Sequence, residues 1–136
     1  MSGGAPILVH NANGPYLCDL PASEASGGHT IARHVGKDDA FLRGRNIPNA
    51  STYTDLAAAT RETQANLDAN TADIQAWLSG SSPQLGIRNP IVDGADARVL
   101  SQATGGEVPG ATIVTFLARD ANMPDGFRIH TSYVDP

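Results

Sequence analysis

Residues 27–37 read GGHTIARHVGK, and this stretch decides how the first half of the chain is built. Ile31 and Val35 lie four positions apart, the spacing that places two apolar side chains on one face of a helix. Apolar residues continue further on, so we predict helix from about residue 30 to residue 45. Gly36 interrupts the pattern, and an aspartate two positions later is a suitable N-cap for a second helical segment.

The region that follows is also helical in pattern. We predict a short extended piece at residues 51–53, after which Thr54 is placed to cap a helix with apolar residues at helical spacing. The helix restarts at Asn70 or Thr71 and includes Trp77, which we predict to be a core residue rather than a platform for stacking a base. A glycine and a proline soon afterwards end it.

After residue 83 the pattern changes to that of strands. Stretches rich in β-formers are separated by Gly, Pro, Asn and Asp clusters, which predicts strands at 84–88, 97–102, 112–119 and 127–133. The last two are expected to form a hairpin. Because helices come first and strands follow without alternation, we predict an α+β domain with N-terminal helices packed on a C-terminal antiparallel sheet. Residues 1–26 are expected to be a largely irregular leader.

Composition narrows the class of protein. With 136 residues, of which 40% are hydrophobic, the chain is large enough to bury a single core. One cysteine, Cys18, excludes an internal disulfide, and its surroundings lack the basic groups that activate a thiol. No stretch approaches the roughly 20 apolar residues of a membrane span, so no membrane contact is expected. The four histidines lack metal-ligand spacing and no nucleotide motif is complete, so no cofactor is expected.

The distribution of charge leaves room for a cationic site. A formal net charge of −5 argues against a general nucleic-acid binder with a broad basic patch. Four basic residues nevertheless fall within thirteen positions of one another, namely Arg33, Lys37, Arg43 and Arg45. The next segment is acidic, so an acidic chain is still expected to carry a locally cationic cleft.

Several short motifs carry a resemblance to a known family. GGHT at residues 27–30 is followed by HVGK at 34–37, ASTY at 50–53, AWL at 76–78 and a terminal TSY at 131–133. In this combination the chain resembles, over most of its length, the bacterial RNase A-like toxin domain. Such domains form the C-termini of contact-dependent inhibition proteins and other polymorphic toxins.

The resemblance implies both a fold and a biological role. The fold is the kidney shape of pancreatic ribonuclease, here without disulfides, and the activity is that of a metal-independent ribonuclease. Residues 1–26 become a leader or junction and residues 27–136 the toxin domain, since PILVHN at 6–11 is similar to the junction before the tip of polymorphic toxins. The family also implies secretion as the tip of a larger protein and action on RNA in the target-cell cytoplasm. A cognate immunity protein neutralises such a domain, which is otherwise expected to be monomeric.

The family's catalytic residues correspond to named positions in this sequence. His34 and Arg45 match a helix-borne histidine and the arginine that follows it. Thr131 and Tyr133 match the pair on the terminal strand. His29 lies in an equally well-matched part of the first motif, so the choice between His29 and His34 as the base stays open, with His29 preferred as an accessory.

The same residues suit cleavage of RNA by its own 2′-hydroxyl, which needs a base, an acid and a cation at the phosphorane. Imidazole, with an ordinary pKa near ~6.5, is a suitable base, so we assign His34 as base and Arg45 as charge stabiliser. Eleven positions would separate them by about 16 Å along one helix, so the chain must bend near Gly36. Thr131 and Tyr133 leave the same face of a strand, and His130 is expected on the opposite face.

Two other classes of function remain at this point. An ADP-ribosyltransferase-like toxin would also use an arginine, a Ser/Thr-rich strand and a tyrosine, but it requires a catalytic glutamate. Glu24, Glu62 and Glu107 are the glutamates of the chain, and none follows a suitable strand motif. A non-enzymatic interaction domain would need no clustered histidine and arginine, and its function would survive loss of His34.

Overall fold

The computed structural model of the chain describes residues 14–92 and 96–136. Helices dominate the first half of the described chain and strands the second, as expected for an α+β domain. The elements are α1 (Leu20–Ala25), α2 (Thr30–His34), α3 (Asp39–Arg43), β1 (Asn49–Tyr53), α4 (Leu56–Ala69), α5 (Thr71–Leu78), β2 (Gln84–Pro90), β3 (Ala97–Ser101), β4 (Glu107–Val108), β5 (Thr112–Arg119) and β6 (Phe127–Asp135). None of the described helices has both the length and the apolar character needed to cross a bilayer.

The strands form two antiparallel sheets of three strands rather than a single sheet. One has the order β1-β3-β4 and the other the order β2-β5-β6. The predicted β5–β6 hairpin is confirmed, with pairing from Thr112 opposite Asp135 to Arg119 opposite Phe127. The second sheet arises because β1, which lies among the helices in sequence, pairs along its whole length with β3.

Helix α1 corrects the prediction that the leader is irregular up to residue 26. The carboxylate of Asp19 caps the helix by accepting a hydrogen bond from the Ala22 N–H at 3.0 Å. Pro21, which suggests irregular chain, fits the first turn because its missing N–H has no partner there in any helix. Leu20 is fully buried, and the Ser23 hydroxyl accepts the Ile129 N–H of β6 at 3.0 Å. The junction-like residues 6–11 lie outside the described residues.

The two glycines that open the GGHT motif bring the chain against β6. A Cβ atom on Gly28 would lie 2.4 Å from the carbonyl oxygen of Ile129, so only glycine fits this approach. Immediately afterwards the His29 N–H donates to the His130 carbonyl at 2.8 Å. The carboxylate of Glu24 accepts two backbone N–H groups in the first turn of α2, at 3.1 and 2.8 Å. These contacts fix where α2 begins.

The predicted break at Gly36 is confirmed. Helix α2 ends at His34, and Gly36 has a φ of +63°, a conformation that glycine adopts without strain. The Gly36 N–H donates to the carbonyl of Tyr53 in β1 at 2.9 Å, which holds the turn in place. The side chain of Asp38 then caps α3 by accepting the Phe41 N–H at 2.9 Å, as predicted.

The remaining helices differ from the sequence-based picture by one residue at one cap. Asp55 rather than Thr54 caps α4, because its carboxylate accepts the Ala58 N–H at 2.8 Å. The prediction that Trp77 is a core residue is confirmed, since its side chain is 6% exposed and packs edge-on against Phe127. Cys18 is likewise buried in the core, and burial raises the pKa of its thiol. This agrees with a structural rather than a reactive cysteine.

A cluster of buried hydroxyls joins β6 to its neighbours. The Ser132 hydroxyl lies 2.9 Å from the Tyr53 hydroxyl of β1 and 2.7 Å from the Thr63 hydroxyl of α4. It also lies 3.1 Å from the Thr115 hydroxyl of β5. All four residues are buried, so the hydroxyls depend on one another for hydrogen bonding, and that of Thr115 also accepts from the Asn66 amide at 2.9 Å. Ser132, the residue between Thr131 and Tyr133, thus fixes the position of β6 at this point.

We expect Ser132→Ala to lower the free energy of unfolding by about 2 kcal/mol, because it leaves buried hydroxyls with fewer partners. Urea denaturation measures the change. Ser101→Ala is the matched control, since the Ser101 side chain on β3 makes no hydrogen bond to another described residue. The control is expected to stay within about 0.5 kcal/mol of the parent. Equal effects of the two changes would contradict the assigned role of Ser132.

Candidate active site

Strand β6 contains a β-bulge that the sequence does not predict. Two consecutive residues of β5 pair with Thr131 and with Ile129, so His130 is an extra residue on β6. Ile129 belongs to the core, and Ser132 reaches the buried hydroxyl cluster. The two residues between them, His130 and Thr131, therefore both face away from the core. The prediction that His130 and Thr131 lie on opposite faces is wrong because of this bulge.

All five predicted site residues line one cleft of about 390 Å³. His29 and His34 come from the two ends of α2, and Arg45 comes from the turn after α3. Thr131 and Tyr133 come from β6. The cleft is completed by Arg33, Ile47, Pro48, Asn49, Ser51 and Asp135.

His34 occupies the buried part of this cleft. It is 6% exposed, and its ring centroid lies 5.4 Å from that of Tyr133. Burial lowers the pKa of His34 to about 4, and the positive charge of Arg45 acts in the same direction, while the backbone of Ser51 partly opposes it. The imidazole is therefore neutral at neutral pH, which is the form that accepts a proton.

Arg45 lies close enough to His34 for its charge to affect the pKa of that imidazole. The turn at Gly36 makes this approach possible, because one continuous helix would separate the two residues by about 16 Å. The Nη1 atom of Arg45 is buried and has no hydrogen-bond partner among the described residues. A guanidinium in this state is well suited to bind a phosphate.

Charge is segregated much as the sequence predicted. Arg33 joins Arg45 in lining the cleft. The other two clustered cations are engaged elsewhere, since Lys37 lies 5.1 Å from the centre of an aromatic ring and Arg43 donates to a backbone carbonyl at 3.1 Å. An acidic chain therefore carries a cleft with two arginines in its wall.

The two residues from β6 offer hydroxyl groups. Thr131 is 8% exposed, and its Oγ1 atom has no hydrogen-bond partner in the described part of the chain. Tyr133 is half-buried, and burial together with the negative charge of Asp135 raises the pKa of its phenol. The phenol therefore keeps its proton at neutral pH and acts as a hydrogen-bond donor.

His29 brings a second imidazole to the cleft. Its ring centroid lies 4.8 Å from that of His130, with the two rings edge to face. Burial lowers the pKa of His29, as do Arg33 and His130, whereas Glu24 opposes the change. His130 itself does not line the cleft, and burial and the charge of Arg128 lower its pKa. Two imidazoles are thus adjacent at one end of the site.

Three buried polar atoms of the cleft lack a hydrogen-bond partner among the described residues. They are Nδ1 of His34, Nη1 of Arg45 and Oγ1 of Thr131. Buried polar atoms in folded proteins nearly always have partners, so a bound molecule is expected to supply them. A proton acceptor, a cation and a hydroxyl together suit a phosphodiester. Within residues 14–92 and 96–136, no three His, Cys, Asp or Glu side chains group as possible metal ligands.

Sequence reasoning did not assign several lining residues, among them Asn49, Ser51 and Asp135. Asp135 follows Tyr133 by two positions, so the alternation that links Thr131 to Tyr133 also extends to it. The sequence therefore contained the information needed to predict that Asp135 lines the cleft. Asn49 and Ser51 alternate in the same way on β1, but the pairing partner of β1 is needed before their face can be known.

The fold is that of a small α+β domain, and its cleft brings together groups that suit a phosphodiester. The model of the bacterial CdiA-CT RNase A domain family matches residues 28–134, and the chain belongs to this family. A crystal structure of a CdiA-CT/CdiI complex from Y. kristensenii is similar, with 33% sequence identity and a TM-score of 0.70. The match covers 80% of this chain and 100% of that chain. Comparison with curated proteins gave no match.

Family membership confirms the main sequence-based predictions. The chain is a ribonuclease toxin domain of the contact-dependent inhibition class, with the α+β fold and no disulfide, as its motifs indicated. Its family is that of the C-terminal region of the larger protein CdiA.

The burial of His34 predicts a pH dependence of stability. A pKa lowered to about 4 in the folded protein means that the unfolded chain binds more protons between pH ~6.5 and pH ~4. Stability therefore rises with pH across this window and is lost as the pH falls. The contribution of this one residue reaches at most about 3 kcal/mol.

His34→Gln is expected to lose less stability than the parent when the pH is lowered from 7 to 4.5, as measured by urea denaturation at each pH. His130→Gln is the matched control, because its imidazole is less buried. A parent and a His34→Gln variant that respond equally to pH would contradict a buried, neutral His34.

Proposed function

We propose that this domain cleaves RNA without a metal ion, by attack of a ribose 2′-hydroxyl on the adjacent phosphate. His34, Arg45, Thr131, Tyr133 and His29 are the residues that carry the reaction. The supporting observation is that a base, a cation and a hydroxyl with unpartnered buried atoms meet in one cleft.

In the proposed step, His34 accepts the proton of the 2′-hydroxyl as the 2′-oxygen forms a bond to phosphorus. The bond from phosphorus to the 5′-oxygen breaks, a 2′,3′-cyclic phosphate forms, and the 5′-oxygen receives a proton. Arg45 stabilises the negative charge of the phosphorane. A bound phosphate also offsets the charge of Arg45, which raises the pKa of His34 toward the range that suits a general base.

The proton for the departing oxygen requires a second group. His29 lines the same cleft at the other end of α2 and has the accessory role of an acid, because the negative charge of a bound phosphate opposes the effects of burial and of neighbouring positive charges, which lower the pKa of this imidazole. Tyr133 lies beside His34 with its proton retained, so it positions the phosphate as a hydrogen-bond donor. Thr131 offers an unpartnered hydroxyl to a phosphate oxygen or a base edge.

The ADP-ribosyltransferase alternative requires a glutamate in the site, and the three glutamates have other partners. Glu24 caps α2, and Glu107 pairs with Arg98. Glu62 is fully buried and accepts the Val92 N–H at 2.9 Å. None of the three lines the cleft. The His34 variant described below distinguishes an enzyme from a non-enzymatic interaction domain, because the function of an interaction domain would survive loss of His34.

The partner and the place of action follow from the family by analogy. The similar crystal structure is a CdiA-CT/CdiI complex, which supports a cognate immunity protein that covers the cleft of this domain. We place the toxin domain at residues 27–136, with α1 packed against it, at the tip of a larger secreted protein. RNA in the target-cell cytoplasm is its substrate. The domain is a monomer apart from its immunity complex.

Purified domain is expected to cleave bacterial RNA in excess EDTA and to leave 2′,3′-cyclic phosphate ends. His34→Ala is expected to lower the rate by about 100-fold or more, because a general base typically contributes that much. Arg45→Ala is expected to lower the cleavage rate by about 100-fold, because the negative charge of the phosphorane is no longer stabilised. Gel assays of RNA integrity and analysis of the product ends measure both.

Arg43→Ala is the matched control, because Arg43 lies two positions from Arg45 but points its guanidinium at a backbone carbonyl outside the cleft. It is expected to keep the parent rate. Activity that EDTA abolishes and Mg²⁺ restores would contradict the metal-free mechanism. Intact RNA with parent and variants alike would move the function to another substrate or to an interaction domain.

A further inference from the structure

The cleft has two chemically different ends. One end is lined by His29, whose backbone N–H donates to the His130 carbonyl, whereas the other is formed where β1 begins and β6 ends. The Tyr53 hydroxyl contacts Ser132, and the Ser51 hydroxyl accepts the Val134 N–H at 3.2 Å. Moving two residues back along β1, from Tyr53 to Ser51, thus corresponds to moving two residues forward along β6, from Ser132 to Val134.

Continuing this correspondence places Asn49 opposite residue 136, so it lies beside the end of β6, next to the position of Asp135. Both residues line the cleft and both are half-buried. Ile47 and Pro48, which directly precede Asn49 in the chain, also line the cleft and add apolar surface. An apolar wall with a polar edge is the usual composition of a pocket for a nucleic-acid base.

Asp135 is the feature of this end that needs an explanation. It is the one carboxylate that lines the cleft within the described residues, and it repels a polyanionic substrate. Its backbone is fixed by pairing with Thr112 and by the Ala111 N–H, which donates to its carbonyl at 2.9 Å. Its negative charge contributes to the raised pKa of Tyr133. Its carboxylate forms no hydrogen bond or ion pair with another described residue.

The chemistry of a carboxylate decides which base this end accepts. An ionised carboxylate only accepts hydrogen bonds, and it pairs with the exocyclic amino group of a base. Uracil is the RNA base without such a group. At the position where cytosine presents its amino group, uracil presents O4, which faces the carboxylate as acceptor against acceptor, and N3–H is the one donor left on that edge. The amide of Asn49 offers both a donor and an acceptor for the neighbouring positions of a base edge.

We propose that Asp135, assisted by Asn49, is a specificity-determining residue that selects a base with an exocyclic amino group next to the scissile phosphate and rejects uracil. The proposal rests on the ribonuclease mechanism proposed above. Cytosine and uracil make the sharpest comparison because they have nearly the same shape and differ in the group that would meet Asp135.

The test uses DNA oligonucleotides with a single ribonucleotide, so that one bond is cleavable. One pair has cytosine or uracil on that ribonucleotide, and a second pair has cytosine or uracil on the nucleotide that follows it. In one of the two pairs the parent domain is expected to cleave the cytosine substrate about 10-fold faster by kcat/KM, the factor that one good base contact supplies. The responding pair identifies which nucleotide the pocket holds.

Asp135→Asn is expected to bring the cytosine-to-uracil ratio to about one or below, because an amide also donates hydrogen bonds. Asp73→Asn makes the same change of charge at an exposed residue of α5 outside the cleft and is expected to keep the parent ratio. A parent that cleaves both members of each pair equally, or an Asp135→Asn variant with the parent ratio, would overturn the assignment. Failure of the parent to cleave these substrates or bacterial RNA would instead overturn the proposed function.

Discussion

The hydroxyl of Ser132 is the contact on which the geometry of the site depends. Buried hydroxyls are costly without partners, and this one meets three others, from β1, α4 and β5. Those hydrogen bonds fix the inward side of β6 at the position between Thr131 and Tyr133. The outward side is thereby fixed as well, so two hydroxyl-bearing residues face the cleft because the residue between them is held in the core.

A second constraint is the balance between burial and charge around His34. The imidazole is buried beside the partly buried Arg45, and both effects favour its neutral form. In an empty cleft this arrangement leaves a cation without a counterion and a base with low proton affinity. A bound phosphate corrects both at once, since its negative charge pairs with the guanidinium and stabilises a protonated imidazole. The cleft is therefore complementary in charge to an anion that also brings a proton within reach of the imidazole.

Local signals predicted much of this structure, and long-range pairing determined the rest. The break at Gly36, the cap at Asp38 and the β5–β6 hairpin follow from residue type and spacing, and the structure has all three. Helix α1 was missed because a proline in its first turn resembles irregular chain. The bulge at His130 was missed because no local pattern marks it. Sequence motifs found five lining residues of the cleft, but Asn49 and Asp135 come to line that cleft together only through the packing of β1 against β6.

The groups that line the cleft come from two distant parts of the chain. His34 and Thr131 are separated by 97 positions, and the strands and helices between them supply much of the core. An unfolded polypeptide therefore contains every chemical group of the site and none of its geometry. Passage through any channel as an extended chain would carry the nuclease in an inert form, and activity would return only when the last strand has closed onto the first helices. In this domain, folding is therefore the step that assembles the site.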